Sequence, residues 1–433
     1  MTKASVAPKK DSQPELEAAT TLRVPNFRFL WAANALRGAA GDLGTFALPI
    51  TAALLLNASP LAMGAIAAAG NLSYAVLGLP AGVWIDRWNK RTVLLVADAV
   101  LALSLASIAI AYALDVLTVA QLIVVSAALG VAGMFFNIAH MSILPFILAK
   151  RAVADGNARL QTTNHAIGSV APCLAGALAQ AIAAPFLYGI CAVLHVFSAA
   201  FLRRIDARAT TPVPAPAVKR NFRSEIGDGL RTIWDSPLLR LFLTQTSLNN
   251  LGAGMLMATA SYYLLRVIGI SPWLFGALSS IGAVTGVVAT LLCRRLRIRF
   301  GEVRMTLAFS WVAPVGVAML PLAGMFRPLA TVFTVAYSVI LAFSLAGRSV
   351  SVAGIRARIT SRNMLGRVSS ANSTIAMGVI VLGSLLGGVV ATEVSSTAAL
   401  WLAFAVMLLP AVLIMRSPLR LVRTIPPEWE VAD

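Results

Sequence analysis

Along most of the chain, apolar residues do not alternate with polar ones. They run on for about 20 residues at a time, and each run ends in a short cluster of charges, Pro or Gly. At 1.5 Å per helical residue, such a run crosses a hydrocarbon core about 30 Å thick. Taken in order, the runs predict twelve transmembrane helices, near 28–56, 61–85, 92–114, 117–148, 159–182, 186–203, 238–265, 272–293, 305–325, 328–355, 366–391 and 397–416. The expected organisation is a tail over 1–27, a six-helix bundle over 28–203, a linker over 204–237, a second six-helix bundle over 238–416 and a tail over 417–433. The linker is Pro-rich and charged, with a short amphipathic helix expected from Arg223 to Trp234. The opening stretch, MTKASVAPKKDSQPELEAATTLRVPN, has no apolar core and reads as a polar tail rather than a signal peptide.

Composition agrees with this all-α membrane protein. Of 433 residues, 58% are hydrophobic and 12% charged, about half the charged share of a soluble domain. The net charge of +18 would suit nucleic acid, but the cations lie between spans, with no basic face and no aromatic stacking platform. Nucleic acid is therefore not an expected partner. All but four of the 35 Lys and Arg fall on one side of the predicted spans. Two, Arg266 and Arg327, lie in loops of the other side, and two, Arg37 and Arg348, lie inside spans. The asymmetry places both termini in the cytoplasm of a cell-membrane protein. Cys173, Cys191 and Cys293 stand alone in apolar runs and read as small core residues.

The two halves resemble each other. Ser59-Pro60 and Gly64-Ala65 recur 212 residues later as Ser271-Pro272 and Gly276-Ala277, and Arg28 recurs as Arg240. Arg159, Asn164 and Ile167 recur as Arg367, Asn372 and Ile375 at an offset of 208. A duplicated six-helix unit of this kind places a substrate path between the halves.

The stretch GVWIDRWNKR, between the second and third spans, carries one acid among three bases. Gly82, Asp86, Arg87, Lys90 and Arg91 match a family signature, with Asn89 where a second Gly is usual; Asn also tolerates a left-handed turn. With the twelve-span pattern, this loop resembles the major facilitator superfamily. Gly41-Asp42 followed by ALPI and SPLAMGAI, and ILPFILAKRAVADGNARLQTT at 143–163, are similar to the efflux branch that includes macrolide and enterobactin-type siderophore exporters. Drug exporters carry Gly-Pro and then small residues in the fifth span. Here that span has Arg159, then Ala171-Pro172 and Cys173-Leu174-Ala175-Gly176. The resemblance implies two pseudo-symmetric six-helix bundles and secondary active transport by alternating access. It implies that Asp86 locks the cytoplasmic ends of the halves together near Arg367. The corresponding position in the second half is Ile298. A loop that serves only as a topogenic basic cluster is the other reading, although topogenesis has no use for Asp86. Beside a helix start a carboxylate is well placed, and Arg87, Lys90 and Arg91 can pair with it or with anionic lipid heads.

Ionisable groups inside spans are costly and often functional. Asp42 is the best candidate for a proton carrier, with a structural carboxylate paired to a neighbouring helix as the alternative. Arg37 is five residues away, roughly 140° around the helix, so the two need not pair. Arg348 in the tenth span either contacts an anionic substrate or pairs with Asp42. His140, its counterpart at an offset of 208, is a cavity contact, a titrating group or a satisfied interior histidine. Asp98 is expected in the basic network around Arg87 and Lys90, and His195 in a structural role. Asn137, Asn164, His165, Asn249 and Asn250 serve substrate contact or interhelical hydrogen bonding, and Glu393 is expected to be solvated.

There is no Walker loop, zinc-protease motif or Gly-x-Ser-x-Gly elbow, so neither ATP-driven transport nor an enzyme is expected. Three histidines in unrelated spans argue against a metal site, and no cofactor is expected. The function implied is export of a small amphipathic molecule, such as a drug, an antibiotic or a siderophore-like metabolite, by proton antiport. The alternative is a proton-coupled importer or facilitator of a small nutrient, anionic if Arg348 contacts it. The expected partners are the substrate, protons and membrane lipid, and the expected state is a monomer.

Overall fold

Ser59 and Ser271 each stand before a proline, and each opens a helix. The Ser59 hydroxyl accepts the Ala62 amide at 3.2 Å, and Ser271 accepts Leu274 at 3.3 Å. Each serine satisfies one of the amides a helix start leaves without a partner, and proline at the first position has no amide to satisfy. In the computed structural model, the described residues are 21–182, 184–207, 222–361, 364–422 and 424–426. Most of the expected tails and the Pro-rich stretch 208–221 lie outside them.

The first half comprises α1 (Pro25–Ile50), α2 (Pro60–Arg87), α3 (Lys90–Ala113), α4 (Val119–Ile147), α5 (Val153–Ala181) and α6 (Ala184–Leu202). The linker helix α7 (Phe222–Asp235) follows, close to the amphipathic helix expected there. The second half comprises α8 (Pro237–Tyr262), α9 (Pro272–Phe300), α10 (Glu302–Met325), α11 (Ala330–Arg358), α12 (Leu365–Glu393) and α13 (Ser396–Met415). Both α1 and α8 run on into a wider π-helical turn, Thr51–Leu55 and Tyr263–Ile268. Among the described residues, eleven helices are long and apolar enough to cross a membrane. The remaining member of the twelve, α5, falls short in composition because its first half carries Asp155, Asn157, Arg159, Gln161, Asn164 and His165. It nevertheless packs along α1 and α9 within the bundle.

The halves repeat each other's packing. In the first, α1 lies against α5 and α6, α3 against α4 and α6, and α2 against α4; in the second, α8 lies against α12 and α13, α10 against α11 and α13, and α9 against α11. The repeat extends to single bonds. Ser126 donates to the Ile66 carbonyl at 2.8 Å, and Ser338, 212 positions on, donates to the Leu278 carbonyl at 2.5 Å.

Between the halves, α2 crosses α12 and α5 crosses α9. At both crossings glycine lies on glycine. A Cβ on Gly64 would strike the Ser384 carbonyl and come within 3.3 Å of the Gly388 Cα; one on Gly276 would strike the Pro172 carbonyl and come within 3.2 Å of the Gly176 Cα. Both crossings obey the 212 offset. The 208 offset suggested for α5 and α12 is therefore one helical turn away from the one the packing uses. Both crossings lie at the end of the bundle away from the termini. Phe46 stacks on Phe275 there with centroids 4.8 Å apart, and Leu61 donates to Thr392. Arg266 donates to the Ala53 carbonyl and to Asn57.

Candidate functional site

Between the halves, a cavity of about 440 Å³ is lined by Thr45, Asn71, Ser126 and Ser261 among mainly apolar side chains of α1, α2, α4 and α8. A second of about 320 Å³, among α8, α9, α11 and α13, shares Met257 and Ser261 with it. Together they form a mostly apolar path with scattered hydroxyl and amide groups, suited to an amphipathic occupant.

The charged residues lie deeper, within the first half. A separate cavity of about 260 Å³ is lined by Arg37 and Asp42 from α1, Leu101 from α3, Gly133 from α4 and His195 from α6. Arg37 rests over the Phe136 ring, 4.0 Å from its centroid, and its Nε has no hydrogen-bond partner. Among the described residues the Asp42 carboxylate forms no ion pair, with Arg37 or any other residue. The two diverge around α1, as their spacing predicts.

Asp98 departs from expectation. It does not join Arg87 and Lys90 but is fully buried. One carboxylate oxygen meets His195 Nδ1 at 3.0 Å, and the other accepts the Ser198 hydroxyl at 2.5 Å. An isolated buried carboxylate costs several kcal/mol. His195 and Ser198, three residues apart on one face of α6, supply the partners that the loop would have supplied in solvent. Sequence reasoning missed Ser198 altogether. The available signal was three polar residues on two otherwise apolar helices, which must face one another in lipid.

His140 stacks on the other neighbour of Arg37, the Phe136 ring, at 5.8 Å, and its Nε2 has no partner. Arg348 is half-buried with an unpartnered Nε and forms no ion pair with Asp42. Neither residue lines the three cavities. The counterpart of Arg348 is also corrected: the Ser126 and Ser338 bonds equate α4 and α11 at 212, which sets Arg348 opposite Phe136 rather than His140. Asn164 accepts from Asn34 at 2.8 Å, Asn137 donates to Tyr74 at 3.0 Å, and Asn249 and Asn250 donate to the Gln245 and Ala376 carbonyls. All four serve interhelical or intrahelical bonding. His165 and Glu393 are exposed.

At the α2–α3 loop the cations take partners that no sequence pattern announces. Lys90 is buried, and its ammonium donates to the carbonyls of Ile85, Asp86 and Trp88 at 2.7, 2.9 and 3.1 Å. Arg91 donates to the Leu202 and Arg203 carbonyls at 3.1 and 2.6 Å. The last carbonyls of a helix lack intrahelical donors and carry partial negative charge. Lys90 thus caps the end of α2 and Arg91 the end of α6, instead of pairing with the Asp86 carboxylate. Asn89 is not left-handed, with φ −64°. It caps α3, its side-chain oxygen accepting the Thr92 amide, so the usual glycine's conformational freedom has no use here. Gly82 has open space where a Cβ would stand. Asp86 and Arg87 are exposed, beside stacked Trp84, Trp88 and Phe135. Arg367, near the start of α12, touches the Met364 sulfur; no ion pair links it to Asp86.

In α5, Arg159 pairs with Asp155 at 3.0 Å. Burial raises the affinity of the Asp155 carboxyl for its proton, but hydrogen bonds from Thr21 and Arg159 outweigh it and hold the group below its ordinary value. Pro172 and Gly176 form the α9 crossing described above. Cys191 and Cys293 are buried, and all three thiols are free.

A family model described as Major Facilitator Superfamily matches residues 30–347. No curated protein matches the chain in sequence. Among solved structures, a bacterial homologue of the iron transporter ferroportin in an inward-facing state is similar at 16% identity, with a TM-score of 0.74 over 91% of this chain and 98% of that one. The nucleoside transporter NupG is similar at 14% identity, with a TM-score of 0.70 over 90% and 98%. A bacterial homologue of the human lysosomal transporter Spinster, inward-facing and unoccupied, is similar at 13% identity, with a TM-score of 0.62 over 91% and 99%.

Proposed function

The chain belongs to the Major Facilitator Superfamily, and from that premise we propose that it exports a small amphipathic molecule across the cell membrane by proton antiport. The observation that carries this reading is Asp42. It is a carboxylate inside a membrane span, with no ion pair among the described residues, beside a cavity. A group so placed can take up and release a proton as its access to water changes. The mostly apolar path between the halves suits a drug, an antibiotic or a siderophore-like metabolite.

With both termini cytoplasmic, the glycine crossings join the halves at the outer side, which supports an inward-facing state. Asp86 and Arg367 then belong to a cytoplasmic lock that is parted in this state and closes when the halves rock the other way. Arg87, with Trp84 and Trp88 at the membrane interface, faces lipid headgroups. A second reading, import of a small anionic solute, draws on the unpartnered Nε of Arg348.

Two experiments test the reading. Deletion and overexpression against a panel of antibiotics and siderophores should change susceptibility or secretion. Inside-out vesicles should load the identified compound under a proton gradient, and Asp42→Asn should abolish that loading. Loading of right-side-out vesicles alone would replace export with import, and proton-coupled loading by Asp42→Asn would remove Asp42 as the carrier.

A further inference from the structure

We propose that Asp98 and His195 form a second proton site, which exchanges its proton with Asp42 through the 260 Å³ cavity of the first half. The proposal rests on the proton-antiport reading and places a further group in its path.

The second half shows that the fold does not need this charge. Ser310 occupies the position of Asp98 at the 212 offset, and accepts from Gln245 at 2.9 Å. Met407 and Pro410 occupy the positions of His195 and Ser198. The same α10–α13 contact is therefore built with a neutral hydroxyl, a thioether and a proline. Helices α3 and α6 make their main contacts within their own half, away from the crossings that join the halves. What they have that Ser310 and Met407 lack is a transferable proton.

The geometry supplies a route. His195 meets Asp98 through Nδ1, and the residue is also among those that line the cavity beside Asp42. When Asp42 gives up its proton, the O–H bond breaks there and an N–H bond forms at His195 Nε2, through water in the cavity. The Nδ1–H stays on the Asp98 carboxylate, which holds the resulting imidazolium. Release runs the same steps in reverse. The other groups facing this unit are few. From α1 come Arg37, the fixed cation that balances Asp98, and Asp42 itself. From α4, Leu129 and Gly133 bring no charge, while His140 lies behind the Phe136 ring. Tyr74 of α2 is occupied with Asn137. On α6, Cys191 lies one turn from His195, and α3 adds no other titratable group to the cavity lining.

The chain has three histidines, so the proton can be watched directly. The full-length protein, labelled with 15N-histidine and held in lipid nanodiscs, gives three imidazoles in solid-state NMR; His140→Asn and His165→Asn assign two of them by loss. Both singly and doubly protonated forms of the His195 ring are expected in the unsubstituted protein. In Asp98→Asn, where the imidazolium loses its carboxylate, the doubly protonated fraction at a given pH should fall severalfold. In Asp42→Asn that fraction should also fall, by a smaller factor. A His195 ring in one protonation state from pH 5 to 9 in the unsubstituted protein overturns the site, whether or not the Asp98 variant folds. A fraction unmoved by Asp42→Asn overturns the exchange. No substrate enters this measurement. A titrating His195 in a protein whose vesicles show no proton coupling would remove the antiport reading and leave the site.

Discussion

The two halves share a backbone plan and differ in what they bury. At positions 37, 98 and 195 the first half encloses an arginine, an aspartate and a histidine. At 249, 310 and 407 the second encloses an asparagine, a serine and a methionine. At the loop after the second helix of each half the contrast returns. Lys90 caps α2 and lies over the Phe146 ring at 5.5 Å; 212 positions on, Glu302 accepts Arg358 at 2.5 Å. The same two places in space hold a cation–aromatic contact in one half and an ion pair in the other. The lesson is that duplication preserved where helices touch, while the chemistry enclosed between them was free to diverge. At the three enclosed positions the first half has charged and titratable side chains where the second has neutral ones.

Substitutions that treat both halves alike put this contrast at risk. The largest effect is expected for Asp98→Leu, which strands His195, Ser198 and Arg37; removing one partner of a buried charged cluster costs about 3–5 kcal/mol. Ser310→Leu breaks two neutral bonds, from Gln245 and to the Thr306 carbonyl, at about 2 kcal/mol in all. Unfolding in detergent should separate the two, and equal losses would break the comparison. Next, Gly64→Leu and Gly276→Leu should each cost about 1–3 kcal/mol by overpacking and by similar amounts. They should also lengthen spin-label distances across the end far from the termini. A large inequality between them would show that the two crossings are not equivalent. Glu302→Gln should follow at about 1–3 kcal/mol, and Lys90→Met at about 1 kcal/mol, both read by unfolding. The smallest effect belongs to Asp86→Asn, since its carboxylate makes no ion pair or hydrogen bond among the described residues: the unfolding midpoint should not move. Its distinctive readout is a shift of spin-label distances between the α2 and α12 ends. The absence of any shift would detach Asp86 from the lock.

Much of this fold was legible in the sequence because bilayer thickness dictates run length. The spans, the linker helix and the 212 offset all follow from patterns along one dimension. The 208 offset misled because three residue matches in helices rich in small side chains weigh less than one shared crossing. The site was legible in its members but not in its pairings. Asp42, Arg37, Asp98 and His195 all stand out as polar residues in apolar runs, yet which of them meet depends on helix order around the bundle. Lys90 and Arg91 were misread for a different reason: their partners are main-chain carbonyls, which every residue carries and no sequence marks. Asn89 was legible in principle, as an asparagine before a long apolar run is a helix-start signal.

The glycine crossings carry one more consequence. Where Gly64 lies on Gly388 and Gly276 on Gly176, backbone meets backbone at the point of contact, with the Thr392 and Ser280 hydroxyls accepting main-chain amides across the joint beside it. At those points the joint has few teeth, because no bulky side chain separates the two helices. It behaves as a bearing, with little friction of its own. Resistance to motion then falls on the few polar ties around it, above all the Arg266 guanidinium held by Ala53 and Asn57. That tie is partly exposed, so water can compete for it as the halves begin to turn.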